Sequence, residues 1–282
     1  MMIVGAYVGF SKLLVAVFPV FLLAWLRFGI AAIAMGTWLK REAGEAPLDA
    51  RTRYLVFLES FLGNFLFSIC MLFGMLHATA ISAGVIMAGI PAAVALLSRV
   101  FLKEQLSVRM IIAIALGVAG ISVLAVSRAG HSEGATSLLG TLLLVGAVFC
   151  ESSYVIIGKR LTGKLSPKRI SALINLWGLL LVTPLGIYAA SSFNFTAVSA
   201  HIWGGLVLYA LAASMSTVWL WMTGLKTVPA TKAGIFTVFL PITSALVGVL
   251  FLGETFTFTH AVAFVCALAG VVLATWPASE SV

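Results

Sequence analysis

Long apolar runs recur along the whole chain, and this repetition constrains the fold more than any other feature of the sequence. A hydrocarbon layer about 30 Å thick is crossed by roughly 20 helical residues, so uninterrupted apolar runs of that length are typical of transmembrane helices. The run from 111 to 126 is apolar on every face and lacks the period-two alternation of a transmembrane β-strand. The pattern therefore predicts an all-α integral membrane protein whose immediate partner is the lipid bilayer.

Composition excludes the soluble classes. Apolar residues make up 62% of the chain and charged residues 9%, too little polar surface for a water-soluble domain of this size. The net charge of +8 lies in the polar breaks between apolar runs, so we expect no nucleic-acid partner. Cys70, Cys150 and Cys266 each fall inside an apolar run, which favours free thiols over disulfides or a metal site. No cofactor, metal or removable signal peptide is expected.

The runs predict ten transmembrane helices. Their predicted spans are 1–18, 20–39, 54–76, 79–102, 107–127, 137–158, 169–190, 202–225, 230–252 and 257–276. Of the 17 Lys and Arg residues, fourteen lie in the even-numbered breaks, counted from the N-terminus. By the positive-inside rule, we expect these breaks and both termini on the cytoplasmic side of a plasma (inner) membrane.

The second half of the chain repeats part of the first. A shift of 150 residues aligns 78–125 with 228–275 without a gap, and 12 of the 48 aligned pairs are identical. The identical pairs include Gly84 with Gly234, Pro91 with Pro241, and Glu104 with Glu254. Biased composition alone would not match Gly, Pro and Glu together, so the alignment indicates an internal repeat.

The differences between the two copies predict that they are inverted. Three cations of the first copy have uncharged counterparts in the second: Arg99, Lys103 and Arg109 align with Val249, Gly253 and Thr259. Five helices per unit is an odd number, so the second unit enters the membrane with the opposite orientation and its matching break lies outside. The predicted units are 1–128 and 137–276. Inverted repeats are typical of transporters, whose two halves open one site to alternate sides.

Several short motifs accompany this plan. They are Gly5 and Lys12 in the first helix, Leu26-Arg27-Phe28 in the second, and the doubled set Gly84, Pro91, Leu102 and Glu104 with Gly234, Pro241, Leu252 and Glu254. Together with the helix number and the repeat, they resemble the ten-helix EamA-type exporters of the drug/metabolite transporter superfamily. The resemblance implies export of amino acids, including aromatic ones, or of related metabolites. The absence of a Gly-x-x-x-x-Gly-Lys loop from the sequence fits transport driven by gradients rather than ATP.

Charged residues inside the apolar runs are the first candidates for a site. Lys12 and Arg27 flank the first predicted outer turn, roughly 10 Å below the surface at 1.5 Å per residue. Charges at that depth are costly unless paired or wetted by a cavity, and Glu151 and Glu254 are the candidate partners. Substrate-carboxylate binding by Lys12 and proton coupling through Glu151 are the functional alternatives to a structural ion pair. Glu59 is expected to be an interfacial anchor.

A substrate cavity is predicted between helices one, three, four, six, eight and nine. Its candidate lining residues, besides Lys12 and Glu151, are Asn64, Met87, Ser152, Tyr154, Trp177, Trp219, Trp221 and Phe239. Pro91 and Pro241 remove a backbone donor and so free the carbonyls of Met87 and Thr237, either as hinges or as static kinks. The alternative roles are helix–helix hydrogen bonding for the polar side chains and contact with lipid for the aromatic ones.

The expected function is secondary export of small metabolites, above all amino acids, by alternating access around a midplane cavity. The alternatives are a broad-specificity drug or nucleobase exporter of the same family and a non-transporting membrane scaffold. An enzyme is not expected, because the sequence offers no convergent catalytic or metal-binding cluster. Small-residue seams at Gly84 to Ala88 and Ala115 to Ala119 allow close helix packing within either a monomer or a homodimer.

Overall fold

The structure, a computed structural model, describes residues 1–41, 45, 47–102, 108–126, 137–227 and 239–275. These residues form helices and no β-strand, which confirms the all-helical prediction. The α-helices are α1 Met2–Val15, α2 Val20–Ala34, α3 Ala50–Ser60, α4 Phe67–Leu76, α5 Ala80–Met87, α6 Ile90–Leu102, α7 Val108–Val126, α8 Leu138–Leu161, α9 Pro167–Ser191, α10 Ala200–Ala210, α11 Thr217–Thr227, α12 Phe239–Leu252 and α13 Phe258–Thr275.

Helix length and composition fit a multi-pass membrane protein. Within the described residues, 6 helical stretches are long and apolar enough to cross a membrane: Ala50–Leu76, Ala80–Leu97, Leu138–Leu161, Pro167–Ser191, Ala200–Thr227 and Phe258–Thr275. Shorter apolar helices are Met2–Val15, Val20–Ala34, Val108–Val123 and Phe239–Leu252. The stretches agree with the predicted spans to within a few residues at most ends, although α12 is described only from Phe239.

Two of the long stretches contain a π-helical segment. One spans Phe61–Leu66 between α3 and α4, and the other spans Leu211–Ser216 between α10 and α11. The second follows the first by the same 150 positions that align the two copies of the predicted repeat. A π-helical turn widens the backbone and shifts the register of the side chains beyond it, and such turns occur frequently at functional sites.

The predicted kink at Pro91 is a complete break in the helix. α5 ends at Met87 and α6 begins at Ile90, with a tight turn in which the Gly89 N–H donates to the Ile86 carbonyl at 3.0 Å. Pro91 has no N–H to continue the ladder, which explains an interruption just before it. Pro241 is the third residue of α12, and its predicted carbonyl partner, Thr237, lies outside the described residues.

Glycines of α1 bring that helix unusually close to α12. A Cβ atom on Gly5 would overlap the Thr243 hydroxyl and the Leu240 carbonyl oxygen, and a Cβ atom on Gly9 would lie 2.7 Å from Cγ1 of Val247. The two backbones can approach this far because neither glycine carries a side chain. The first helix is thereby packed directly against a helix of the predicted second unit.

Polar contacts outside the membrane-crossing stretches fix the start of α3. Asp49 caps the helix by accepting a hydrogen bond from the Thr52 N–H at 2.8 Å. Hydrogen bonds from the Thr52 side chain and backbone lower the pKa of the Asp49 carboxyl. Glu45 accepts a hydrogen bond from the Ser166 N–H at 2.7 Å and pairs with Arg169. These contacts join the segment before α3 to the N-terminus of α9.

Candidate functional site

A cavity of about 470 Å³ opens inside the bundle. It is bordered by the first turns of α1, by both π-helical segments, and by α2, α4, α8, α11 and the start of α12. Its lining residues are Met1, Met2, Ile3, Val4, Tyr7, Arg27, Gly63, Asn64, Phe67, Glu151, Tyr154, Ala213, Thr217, Val218, Leu220, Trp221, Gly224, Leu225 and Phe239. The charged side chains of this lining are Arg27 and Glu151, set in a largely apolar and aromatic wall.

Arg27 supplies the cation of the cavity wall. The residue is 4% exposed, its Nη2 donates a hydrogen bond to the Ser68 hydroxyl, and its guanidinium carbon lies 4.4 Å from the centroid of the Phe28 ring. Among the described residues, its Nε has no hydrogen-bond partner. A guanidinium has five N–H donors in a planar fork that fits a carboxylate, so Arg27 retains donors for an acidic ligand group.

Glu151 on α8 supplies the carboxyl group of the cavity wall, and two further polar groups lie near it. Glu151 is half-buried in the cavity wall, and Tyr154 follows it by three residues on the same helix face. The Tyr154 hydroxyl and the indole N–H of Trp221 on α11 are buried without a hydrogen-bond partner in the described part of the chain. Buried polar groups are normally hydrogen-bonded. Two such groups at one cavity therefore point to a polar ligand.

The first π-helical segment shapes the wall between α3 and α8. Asn64 Nδ2 donates to the Ile174 carbonyl of α9 at 3.0 Å, and the Ser60 hydroxyl donates to the same oxygen at 2.6 Å. Gly63 faces α8, where a Cβ atom would lie 2.5 Å from Cβ of Tyr154. Only glycine therefore allows the Tyr154 ring to lie against this segment.

The structure brings several predicted site residues together. Asn64, Glu151, Tyr154, Trp221 and Phe239 all line the cavity. Arg27, predicted as an intramembrane charge on the second helix, joins them. Among the described residues, the cavity lining includes none from the predicted fourth helix.

Other predicted cavity residues lie elsewhere. Met87 is fully buried in the apolar core, and the Ser152 hydroxyl donates to the Val148 carbonyl of its own helix at 2.6 Å. Trp219 packs against Trp38 with ring centroids 6.0 Å apart. Trp177 is 38% exposed at the side of α9. A polar or aromatic residue at the right depth thus fails to line the cavity when its helix turns it elsewhere.

Most of the other lining residues had not been predicted, and three of them carry aromatic or polar groups. Tyr7, Phe67 and Thr217 contribute aromatic rings and a hydroxyl to the wall. The Thr217 hydroxyl also donates to the Ala212 carbonyl at 2.7 Å, five residues earlier, as the wider π-helical turn allows. Tyr7, a polar aromatic residue among the otherwise apolar first ten residues, was the signal available in the sequence.

The interpretation of Glu59 as an interfacial anchor is wrong. Its exposure is 0%, and neither carboxyl oxygen has a hydrogen-bond partner among the described residues. The error has a physical cause. The helix begins at Ala50 rather than at residue 54, so Glu59 lies about 14 Å along the helix axis, at 1.5 Å per residue.

Two segments of the chain, residues 1–126 and 138–276, match the model of the EamA-like transporter family. The chain belongs to this family. The two matched segments together cover nearly the whole sequence, and the described cavity lies between residues of both.

Two similar proteins are described as transporters. This EamA-like transporter is 33% identical to the uncharacterised transporter YetK of Bacillus subtilis (strain 168), over 96% of this chain and 83% of YetK. It is 23% identical to the uncharacterised transporter YyaM of the same strain, over 86% of this chain and 80% of YyaM. A crystal structure of another protein, 20% identical, matches the fold with a TM-score of 0.64 over 97% of this chain and 95% of that one.

Lys12 and Glu254 of this EamA-like transporter pair with each other rather than with the cavity. Lys12 Nζ lies 3.0 Å from Glu254 Oε1. The same carboxylate accepts hydrogen bonds from the Ala80 and Ile81 N–H groups at 2.8 and 3.0 Å, at the N-terminus of α5, where a negative charge is favourable. Gly253, with a φ of 65°, ends α12 in the left-handed region and turns Glu254 towards these donors.

Aromatic packing closes the same end of the bundle. The Phe18 ring, just beyond α1, lies 5.4 Å from the Trp203 ring of α10 and 5.5 Å from the Phe193 ring, centroid to centroid. The cavity lining instead includes Met1 and Gly224, from the opposite ends of α1 and α11. The cavity therefore extends towards the end of the bundle where α1 begins, while the other end is packed.

Replacing Glu254 with Ala is expected to destabilise the transporter by about 2–4 kcal/mol, because a charge-assisted hydrogen bond contributes about 1.5–3 kcal/mol and this carboxylate accepts several. Lys12→Met is the matched control and should cost less, because the Lys12 side chain is one-third exposed and solvent screens its charge. Thermal unfolding of the purified proteins in detergent measures both. A larger effect from Lys12→Met would contradict the dominant role of the α5 contacts.

Proposed function

We propose that this transporter exports small zwitterionic metabolites, above all amino acids and among them aromatic ones. The observation that carries the proposal is that Arg27 and Glu151, which have opposite charges, both line one cavity. A guanidinium fits a carboxylate and a carboxylate fits an ammonium group, so the two recognise the ends of a zwitterion. Phe67 and Trp221 offer apolar and aromatic surface to its side chain.

Alternating access between two inverted five-helix units is the proposed mechanism. Two features support it: the family matches of the two halves, and the π-helical segments separated by the repeat interval. Six long apolar stretches and four shorter ones agree with ten crossings of the membrane. In this arrangement, two similar units exchange conformations around a fixed midplane site.

The state described here is proposed to open to the cytoplasm. The cavity extends towards the start of α1 and the end of α11, and the distribution of Lys and Arg favours the cytoplasmic side of a plasma (inner) membrane for this end. The packed end, with the pair Lys12 and Glu254, then faces outward. An exporter loads its substrate in this state.

Counterflow into proteoliposomes tests the function. Vesicles containing the purified transporter are preloaded with unlabelled phenylalanine, and uptake of labelled phenylalanine is followed from outside. Saturable uptake that other amino acids compete for is expected, while empty vesicles should show none. Uniformly flat uptake across amino acids and nucleobases would overturn the proposal and favour a non-transporting scaffold.

Glu151→Gln tests the assignment of the ammonium group. We expect the affinity for phenylalanine to fall about 10- to 100-fold, because a hydrogen bond to a charged group contributes about 1.5–3 kcal/mol. The affinity for 3-phenylpropanoate, which has the carboxylate but no amine, should stay within about threefold of wild type. Competition against labelled substrate measures both constants. An equal loss for the two compounds would remove Glu151 from amine recognition.

A broad-specificity drug or nucleobase exporter is the second candidate. The rings of Phe67, Trp221 and Phe239 in the cavity favour planar ligands generally. Nucleobases and aromatic cations belong in the same competition series. If they competed better than amino acids, this second candidate would replace the first.

A further inference from the structure

Glu59 is buried directly behind the cavity wall. Glu59 and Gly63 lie four residues apart on one face of the helix, and Tyr154 and Gly158 lie four residues apart on the facing side of α8. A Cβ atom on Gly63 would meet the Tyr154 ring, and one on Gly158 would lie 2.8 Å from Glu59 Oε1. The two contacts place Glu59 one helical turn from the cavity, separated from it by Tyr154.

The surroundings of Glu59 do not compensate a negative charge. The Gly158 Cβ position that would lie 2.8 Å from Glu59 Oε1 would also lie 3.0 Å from the Met222 methyl group of α11. The titratable groups that act on Glu59 electrostatically are Glu151 and Tyr154, both on α8. The described cations on the neighbouring helices are Arg51 and Arg53 on α3, Lys159 and Arg160 on α8, Lys168 and Arg169 on α9, and Lys226 on α11, and Lys159 directly follows Gly158. Of these, Lys159 donates to the Leu225 carbonyl and Arg169 is bound to Glu45.

A buried carboxylate without a cation or donor is strongly disfavoured, whereas the neutral acid is tolerated. Glu59 therefore holds a proton in this conformation. We propose that Glu59 is the binding site of a coupling proton, which enters the cell as the substrate leaves. This proposal rests on the transport function proposed above, and it assigns substrate binding and proton binding to different carboxyl groups, Glu151 and Glu59.

The proton balance of a cycle follows from the position of Glu59. The contact between α3 and α8 that encloses Glu59 is here called the seam. When this seam opens towards the cytoplasm, the O–H bond of the carboxyl group breaks and its proton passes to cytoplasmic water. When the cavity opens to the other side, the carboxylate takes one proton from water there. The transporter returns to the arrangement described here, with α3 and α8 closed over Glu59, only after this protonation, because closing the helices over the anion would bury an unpaired charge.

Glu59→Gln separates the coupling from the transport. Gln has nearly the same shape and cannot ionise, so counterflow of phenylalanine at equal pH on both sides should remain within about threefold of wild type. Accumulation driven by a pH gradient should fall to the equilibrium level in the variant, while the wild type accumulates phenylalanine in vesicles with an acidic interior. Glu151→Gln is the comparison, because it should weaken phenylalanine binding.

Each outcome decides between the hypotheses. Gradient-driven accumulation by Glu59→Gln at the wild-type level overturns the proposal. If the wild type shows counterflow but a pH gradient does not change its uptake of phenylalanine, the proposal for Glu59 is also overturned, and the transport function still holds. If the wild type shows no counterflow at all, the proposed transport function is overturned.

A measurement without transport covers a variant that loses all activity. Because the wild type must keep Glu59 neutral when folded, its thermal stability should fall relative to Glu59→Gln as the pH rises from 5 to 8. A stability difference that stays constant over this range would show that Glu59 binds no proton in the folded protein, and would overturn the proposal.

Discussion

Replacing Arg27 with Gln is expected to lower kcat/KM for phenylalanine transport by about 30-fold or more. Truncating one partner of a buried, hydrogen-bonded charge pair costs about 2–5 kcal/mol, and each 1.4 kcal/mol corresponds to a factor of ten. Arg27 lines the cavity, is 4% exposed and keeps its Nε free of partners in the described chain. The substrate carboxylate in our proposal is held by these donors, and Gln can replace neither their charge nor their planar fork.

The ligand provides the control for this experiment. 2-Phenylethylamine keeps the ring and the amine of phenylalanine but has no carboxylate, so its binding should be nearly equal in wild type and Arg27→Gln. Arg27→Lys should show an intermediate loss for phenylalanine, because Lys retains the charge without the bidentate geometry. Competition assays on protein checked for folding by thermal unfolding measure these constants. Phenylalanine transport by Arg27→Gln within threefold of wild type would refute the assignment.

Substitution of Gly5 by Leu has the largest expected effect on the fold. Even a Cβ atom at this position would overlap the Thr243 hydroxyl and the Leu240 carbonyl oxygen. Because one of these is a backbone atom, α1 must move away from α12 to admit any side chain. Overpacking costs about 1–3 kcal/mol in general, and the larger displacement here should exceed that range. We expect little or no folded protein by size-exclusion chromatography after extraction.

Gly29→Ala is the matched control. A Cβ atom on Gly29, in the interior of α2, meets nothing within 4 Å. Replacing a helical Gly with Ala at an open position should stabilise the protein by about 0.5–1 kcal/mol. A raised melting temperature for Gly29→Ala beside the loss of folded Gly5→Leu would show that close approach, and not the loss of a glycine as such, is the cause. Normal folding of Gly5→Leu would contradict the packing described for α1.

The helical class and the membrane environment followed from the sequence alone, because they depend on local properties. Apolar runs long enough to cross a bilayer leave few other folds open, and helices satisfy their own backbone hydrogen bonds in lipid. The interruption of the helix before Pro91 likewise follows from the missing backbone N–H of this one residue. The resemblance named the family to which the chain belongs, on motifs whose positions can be read without coordinates.

The sequence predicted only some of the residues that line the cavity, because the depth of a residue along a helix does not determine which way its side chain faces. Lys12 and Arg27 have the same charge and a similar predicted depth, yet Lys12 pairs with Glu254 while Arg27 lines the cavity. Glu151 and Ser152 are adjacent, and only the first faces the cavity wall.

The sequence by itself determined a bundle of apolar helices, its punctuation and a set of costly buried charges. The tertiary structure decided which of these charges meet. The π-helical turns rotate the side chains beyond them, and the pattern of apolar residues does not reveal this rotation. The role of the glycines in α1 and α8 depends on the atoms that lie opposite them in the packed bundle. Contact between distant helices is a property of the packed bundle, so Arg27 with Glu151 at one cavity, and Glu59 behind its wall, became visible only there.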